Sequence, residues 1–114
     1  VSETGKNDDR RRELRVEDEA LRVARAASEA ALATEGVVRL GQGLYAEAAT
    51  YGAGEKVVGV MVDKERVEVH VVVGYPPPRS LPELAGEVRE RVAREVGSRT
   101  VNVVIDDVEE ASER

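Results

Sequence analysis

The sequence predicts a small single-domain α+β fold: two helices packed on a valine-rich mixed sheet of three to five strands that contains a central hairpin. Three observations predict it. Two valine-rich runs, Val57 to Val62 and Val67 to Val73, flank the charged stretch Asp63-Lys64-Glu65-Arg66, which is the pattern of a hairpin. Two longer stretches, 18–35 and 80–97, repeat apolar residues at three- and four-residue spacing, as helices with one buried stripe do. The chain has 114 residues with no Phe or Trp and only three tyrosines, so it allows one thin aliphatic core between sheet and helices.

Residues 1–13 are polar and charged, ending in Asp8, Asp9, Arg10, Arg11 and Arg12, and are expected to be a disordered tail because nothing apolar offsets the entropy of ordering them. The folded domain is expected over 14–109, opening on a short strand at Leu14 and Val16. Asp18 is the expected N-cap of a helix that runs to about Glu35. Its inward face carries Leu21, Ala24, Ala27 or Ser28, Ala31 and Leu32, and Gly36 ends it. Val37, Val38 and Leu40 begin a strand that continues irregularly toward Thr50. In the hairpin, alternation sends Val67, Val69, Val71 and Val73 to the core face and Glu68, His70 and Val72 to the other.

Pro76 to Pro78 stop that strand, because proline cannot donate to a ladder. Ser80 with Glu83 forms a capping box for the second helix. That helix carries Leu81, Leu84, Ala85, Val88, Val92 and Val96 on one stripe, with Glu87–Arg91 and Glu90–Arg94 as exposed pairs. Val101, Val103 and Ile105 alternate into a last strand, and the end is expected to fray from Glu109, leaving 110–114 outside the domain.

Several function classes find no support in the residues. A formal charge of −6 opposes general binding to nucleic acid. Cysteine is absent and there is one histidine, so neither disulfides nor a common transition-metal site is expected. No cofactor is expected either. Gly41-Gln42-Gly43 and Gly52-Ala53-Gly54 lack the rest of a dinucleotide or P-loop pattern, and no glycines stand at Gly-x-x-Gly spacing. His70 has no nucleophile or orienting carboxylate apparent near it in sequence and is placed on the more exposed face of its strand. Asp106 and Asp107 are expected to point to opposite sides. No catalytic residue is assigned, and no segment approaches the ~20 apolar residues of a membrane span.

The order of landmarks resembles the alkaline shock protein family of bacterial envelope-stress proteins. It is carried by the small-residue helix Ala24 to Ala33 closing on Glu35-Gly36-Val37, by Gly59-Val60-Met61-Val62, and by Val73-Gly74-Tyr75. Leu81-Pro82-Glu83-Leu84-Ala85, the stripe Val88, Val92 and Val96, and Val101-Asn102-Val103-Val104-Ile105 with Asp107-Val108 complete it. The triple proline replaces a shorter entry to the second helix. The resemblance implies a non-enzymatic cytoplasmic protein linked to envelope stress, held at the membrane only indirectly, through a small membrane-anchored family partner, and able to form homo-oligomers.

The expected activity is therefore that of a scaffold or adaptor; the alternative is a small-ligand-sensing or regulatory subunit with a pocket beside Tyr45 to Glu55. The candidate interaction surface is Val57, Met61, Val72 and Val104, the opposite set of strand positions. It forms an apolar patch if no helix covers that face.

Overall fold

The computed structural model describes residues 18–110. The expected tail 1–13, the short strand at Leu14 and Val16, and the residues 111–114 lie outside them. The fold is the expected small α+β domain. Helix α1 spans residues 18–32, followed by strands β1 (Val37–Leu40), β2 (Ala49–Gly52), β3 (Glu55–Val58), β4 (Val60–Val62) and β5 (Arg66–Tyr75), helix α2 (Leu81–Ala93) and strand β6 (Thr100–Glu110).

Every strand of the main sheet pairs with β5. Strand β6 runs parallel to it from Arg66↔Thr100 to Tyr75↔Glu110. The other edge is shared end to end by two antiparallel neighbours, β4 at Val67 to Val69 and β1 at Val71 to Val73. The β4–β5 turn is built on Asp63, whose Oδ1 accepts the N–H groups of Glu65 and Arg66 at 2.7 and 2.8 Å. Those two bonds hold its carboxyl below the ordinary aspartate pKa.

Strands β2 and β3 form a separate hairpin closed by Ala53-Gly54, with Gly54 at φ +74°. The irregular strand expected from Val37 to Thr50 is thus two strands in different ladders, separated by the segment 41–48. The expected run Val57 to Val62 is likewise split at Gly59, whose φ of +100° only glycine adopts readily. The split tips the β2–β3 hairpin toward α1. A side chain at Gly52 would meet Leu21 at 2.2 Å, and Arg25 pairs with Glu55.

One face of β5 carries the core. Val67, Val69, Val71 and Val73 are fully buried, together with Val60, Leu84, Val88, Val92 and Val96. From α1 the core takes Val23, Ala24, Ala27 and Ala31. The alanines let the helix lie close to the valines, and Val23 rather than Leu32 completes the inward face: Leu32 is 47 % exposed. Asp18 is already helical rather than capping. The chain leaves α1 through Thr34, which donates to Ala30 O at 3.1 Å, and through Gly36 at φ +102°.

Helix α2 begins at the expected capping box. Glu83 N–H donates to Ser80 Oγ and Ser80 N–H to Glu83 Oε1, both at 3.2 Å. It ends at Ala93, short of Gly97, and of its expected surface pairs Glu87–Arg91 forms, at 3.6 Å. The last strand stays paired with β5 to Glu110 rather than fraying from Glu109. Among the described residues no helix is long and apolar enough to cross a membrane.

The two faces of the sheet are expected to differ in energetic weight. Val69→Ala should destabilise the fold by about 2–3 kcal/mol, from lost transfer energy and the cavity left behind. Met61→Ala, at a site 44 % exposed, should stay within about 0.5 kcal/mol. Urea unfolding of the two variants checks the contrast.

Candidate functional site

The second face of the sheet holds the chemistry. Regular pairing of β5 with β6 is interrupted once: Val71 stands opposite Ile105, but Val72 stands opposite Asp107. Asp106 is the extra residue of a β-bulge, a device that re-aims a side chain. Alternation after Ile105 already places the Asp106 carboxylate on the second face; the extra residue brings Asp107, opposite Val72, onto that face as well, and the two line one depression with Val72, Arg39 and Gly41 to Leu44. The expectation that the two aspartates point to opposite sides fails because alternation does not survive a bulge.

Asp106 Oδ1 lies 2.7 Å from Nδ1 of His70, and Glu68 Oε2 lies 2.7 Å from Nε2. The expected absence of an orienting carboxylate is thus overturned twice over. One carboxylate comes from two residues away on the same strand face, the other from 36 residues away. His70 is 7 % exposed, not on an open face. Gly43 N–H donates to Asp106 Oδ2 at 2.9 Å, and Gly41 N–H donates to the His70 carbonyl at 2.8 Å. A Cβ at Gly41 would stand 2.1 Å from Asp106 Oδ2. The Gly41-Gln42-Gly43 segment is therefore a backbone cradle pressed onto a buried carboxylate.

A neutral imidazole has one N–H and one lone pair, so it can satisfy only one of two flanking carboxylates; the imidazolium donates to both. Burial works against the charge, and the hydrogen bonds to Asp106 and then Glu68 outweigh it. The pKa of His70 is raised above the ordinary histidine value. In this arrangement each ring nitrogen faces a carboxylate oxygen at 2.7 Å. The arrangement fastens the segment 41–48 and β6 to β5. Among the described residues no three His, Asp or Glu side chains are placed to hold a metal ion.

The four residues of the expected interaction surface separate. Met61 is exposed on the second face, opposite Glu68, and half-buried Val104 stands opposite His70 in register. Val72 is 1 % exposed. It lies between Arg39 of β1 and Asp107 of β6, and the Arg39–Glu109 ion pair spans β5 at that level. Val57 packs against the inner core with its hairpin. The second face is covered by a loop and an ion pair rather than by helices, so it is not one continuous apolar patch. Beside the segment 45–55, Tyr45 is fully exposed, and Tyr51 donates to Glu47 at 2.5 Å.

Two outcomes follow. A raised histidine pKa contributes stability that is fully present below the unfolded value of about 6.5 and lost as pH rises through the folded value. Unfolding free energy should therefore fall as pH rises above about 6.5, and less steeply in Glu68→Gln. A His70 titration midpoint at or below the ordinary value, followed by NMR, would contradict this. Gly41→Ala should displace Asp106 and bring the His70 midpoint down, a change that a surface control such as Gly86→Ala, where a Cβ meets nothing within 4 Å, should not produce. Compared with models of known protein families, with curated proteins and with solved structures, the chain matches none.

Proposed function

We propose that the protein is a non-enzymatic scaffold or adaptor that works by associating with copies of itself or with a small membrane-anchored partner. The observation that carries this reading is the open edge of β6. This strand has 11 residues and pairs only with β5, so among the described residues one side of it has no strand partner. Open edges of this length are templates for adding a strand. The occupied state of His70 supports the non-enzymatic half of the reading, because the one side chain suited to base chemistry near neutral pH is committed to two carboxylates.

The link to cell-envelope stress, a cytoplasmic location and apposition to the membrane through a partner rest on the sequence resemblance to the alkaline shock protein family. The net charge of −6 argues for a protein partner over nucleic acid.

Sedimentation velocity over a micromolar concentration series is expected to show reversible association. Purification from envelope-stressed cells is expected to bring down a small membrane protein that rebinds when both components are pure. A strictly monomeric protein that rebinds no such partner would end the proposal.

A further inference from the structure

We infer that two copies pair antiparallel through the Val101–Ile105 segment of β6 about a two-fold axis at Val103, joining their main sheets into one. This rests on the self-association reading above and adds a surface, an orientation and a register.

The edge of β6 is protected along half its length only. From Asp106 onward it carries a bulge and four acidic residues, Asp106, Asp107, Glu109 and Glu110, the features by which native edges refuse a neighbour. From Thr100 to Ile105 it has no charge, no proline and no bulge, and four of its six residues are β-branched valine or isoleucine.

The register comes from the backbone. Thr100 N–H donates to Glu65 O at 2.9 Å while Thr100 pairs with Arg66. In a parallel ladder this fixes which residues face the neighbour: Thr100, Asn102 and Val104 direct their N–H and C=O groups to β5. Val101, Val103 and Ile105 direct theirs to the open side. An antiparallel mate centred on Val103 pairs Val103 with itself and Val101 with Ile105, and satisfies all of these groups with about six hydrogen bonds. The side chains agree. Val103 and Ile105 are only partly buried against the core, whereas their neighbours Val69 and Val71 on β5 are at 0 and 1 % exposure. A second copy covers what the edge leaves open.

Charge selects that mate. A parallel copy would set Asp107, Glu109 and Glu110 beside themselves, where like charges repel. The antiparallel copy sends the two acidic ends apart and brings Arg99 of each copy to the Asp107 end of the other. An axis through a residue also keeps both helix layers on one side of the joined sheet, because directly opposed residues share a face. The shared segment is about 17 Å long, which points to a reversible contact.

The chain has no cysteine, so Val103→Cys reports on the register directly. Directly opposed Cα atoms in such a pair lie about 5.5 Å apart, within disulfide reach. Mild oxidation should convert Val103→Cys to covalent dimer, and Val108→Cys, whose mates would stand about 34 Å apart, should stay monomeric. Val103→Pro removes an outward N–H and no bond to β5, and should weaken dimerisation at least about tenfold, equivalent to about 1.4 kcal/mol. Asp107→Arg, on an exposed residue, gives a second reading should the proline variant melt early, and is expected to weaken association as well. Association that survives both substitutions, with no cross-link at Val103, would overturn the β6 pairing and leave self-association standing. A wild-type protein that stays monomeric would remove both.

Discussion

The constraint on which the rest of the structure depends is that β5 is filled on every side. Its edges are taken by β6 along its whole length and by β4 and β1 in succession. Its inner face is sealed by the valines and alanines of two helices. Its outer face is closed over His70 and Val72. A strand in that position must be β-branched to fit the pleat and small enough for the helices to approach, which is why valine recurs. The remaining elements are arranged around it: α1 offers alanine, β4 and β1 are short because they divide one edge, and the β2–β3 hairpin goes to α1 because no edge of β5 remains.

The inner half of this arrangement was legible from the sequence because its signals are local. Alternation at Val67, Val69, Val71 and Val73, the charged turn at Asp63, the Ser80–Glu83 capping box and the stripe Leu84, Val88, Val92 and Val96 are each contained within a few residues, and each appears as expected. The outer half was not legible, for a physical reason. What buries Val72 and His70 arrives from β1, from the segment 41–48 and from β6, with partners up to 70 residues apart. A period of two says which face a residue takes but not what covers that face. The bulge at Asp106 adds a second break, since one inserted residue reverses the parity of everything after it. A signal was present in Gly41-Gln42-Gly43, in a lone histidine and in an Asp-Asp pair set between Ile105 and Val108, but bringing them together needed the strand order.

His70 resolves a conflict that the fold itself creates. Burying Asp106 beneath a backbone cradle carries a cost that grows if the charge is left uncompensated. One N–H from Gly43 is not enough, and the imidazolium supplies both a charge-assisted bond and a positive charge. Glu68, more exposed than the other two, then holds the ring's second nitrogen. The trio carries one net negative charge while the ring is protonated and two once it is not. On deprotonation the buried Asp106 contact is the costlier to lose, so the Nδ1 proton stays and Glu68 is the group released. The change is therefore felt beside Met61 and Val104, while the cradle at Gly41 and Gly43 keeps its carboxylate.

Asp106 also connects the interior to the edge. By bulging out of the ladder to reach His70, it ends the regular run of β6 at Ile105 and begins the acidic stretch that refuses a neighbour. The carboxylate that completes the trio thus also marks where the regular, uncharged edge of β6 ends. A regular strand without the bulge would have presented a longer, evenly spaced edge with several competing registers. With it, the open backbone groups of the uncharged stretch are those of Val101, Val103 and Ile105, and a set of three admits one symmetric centre.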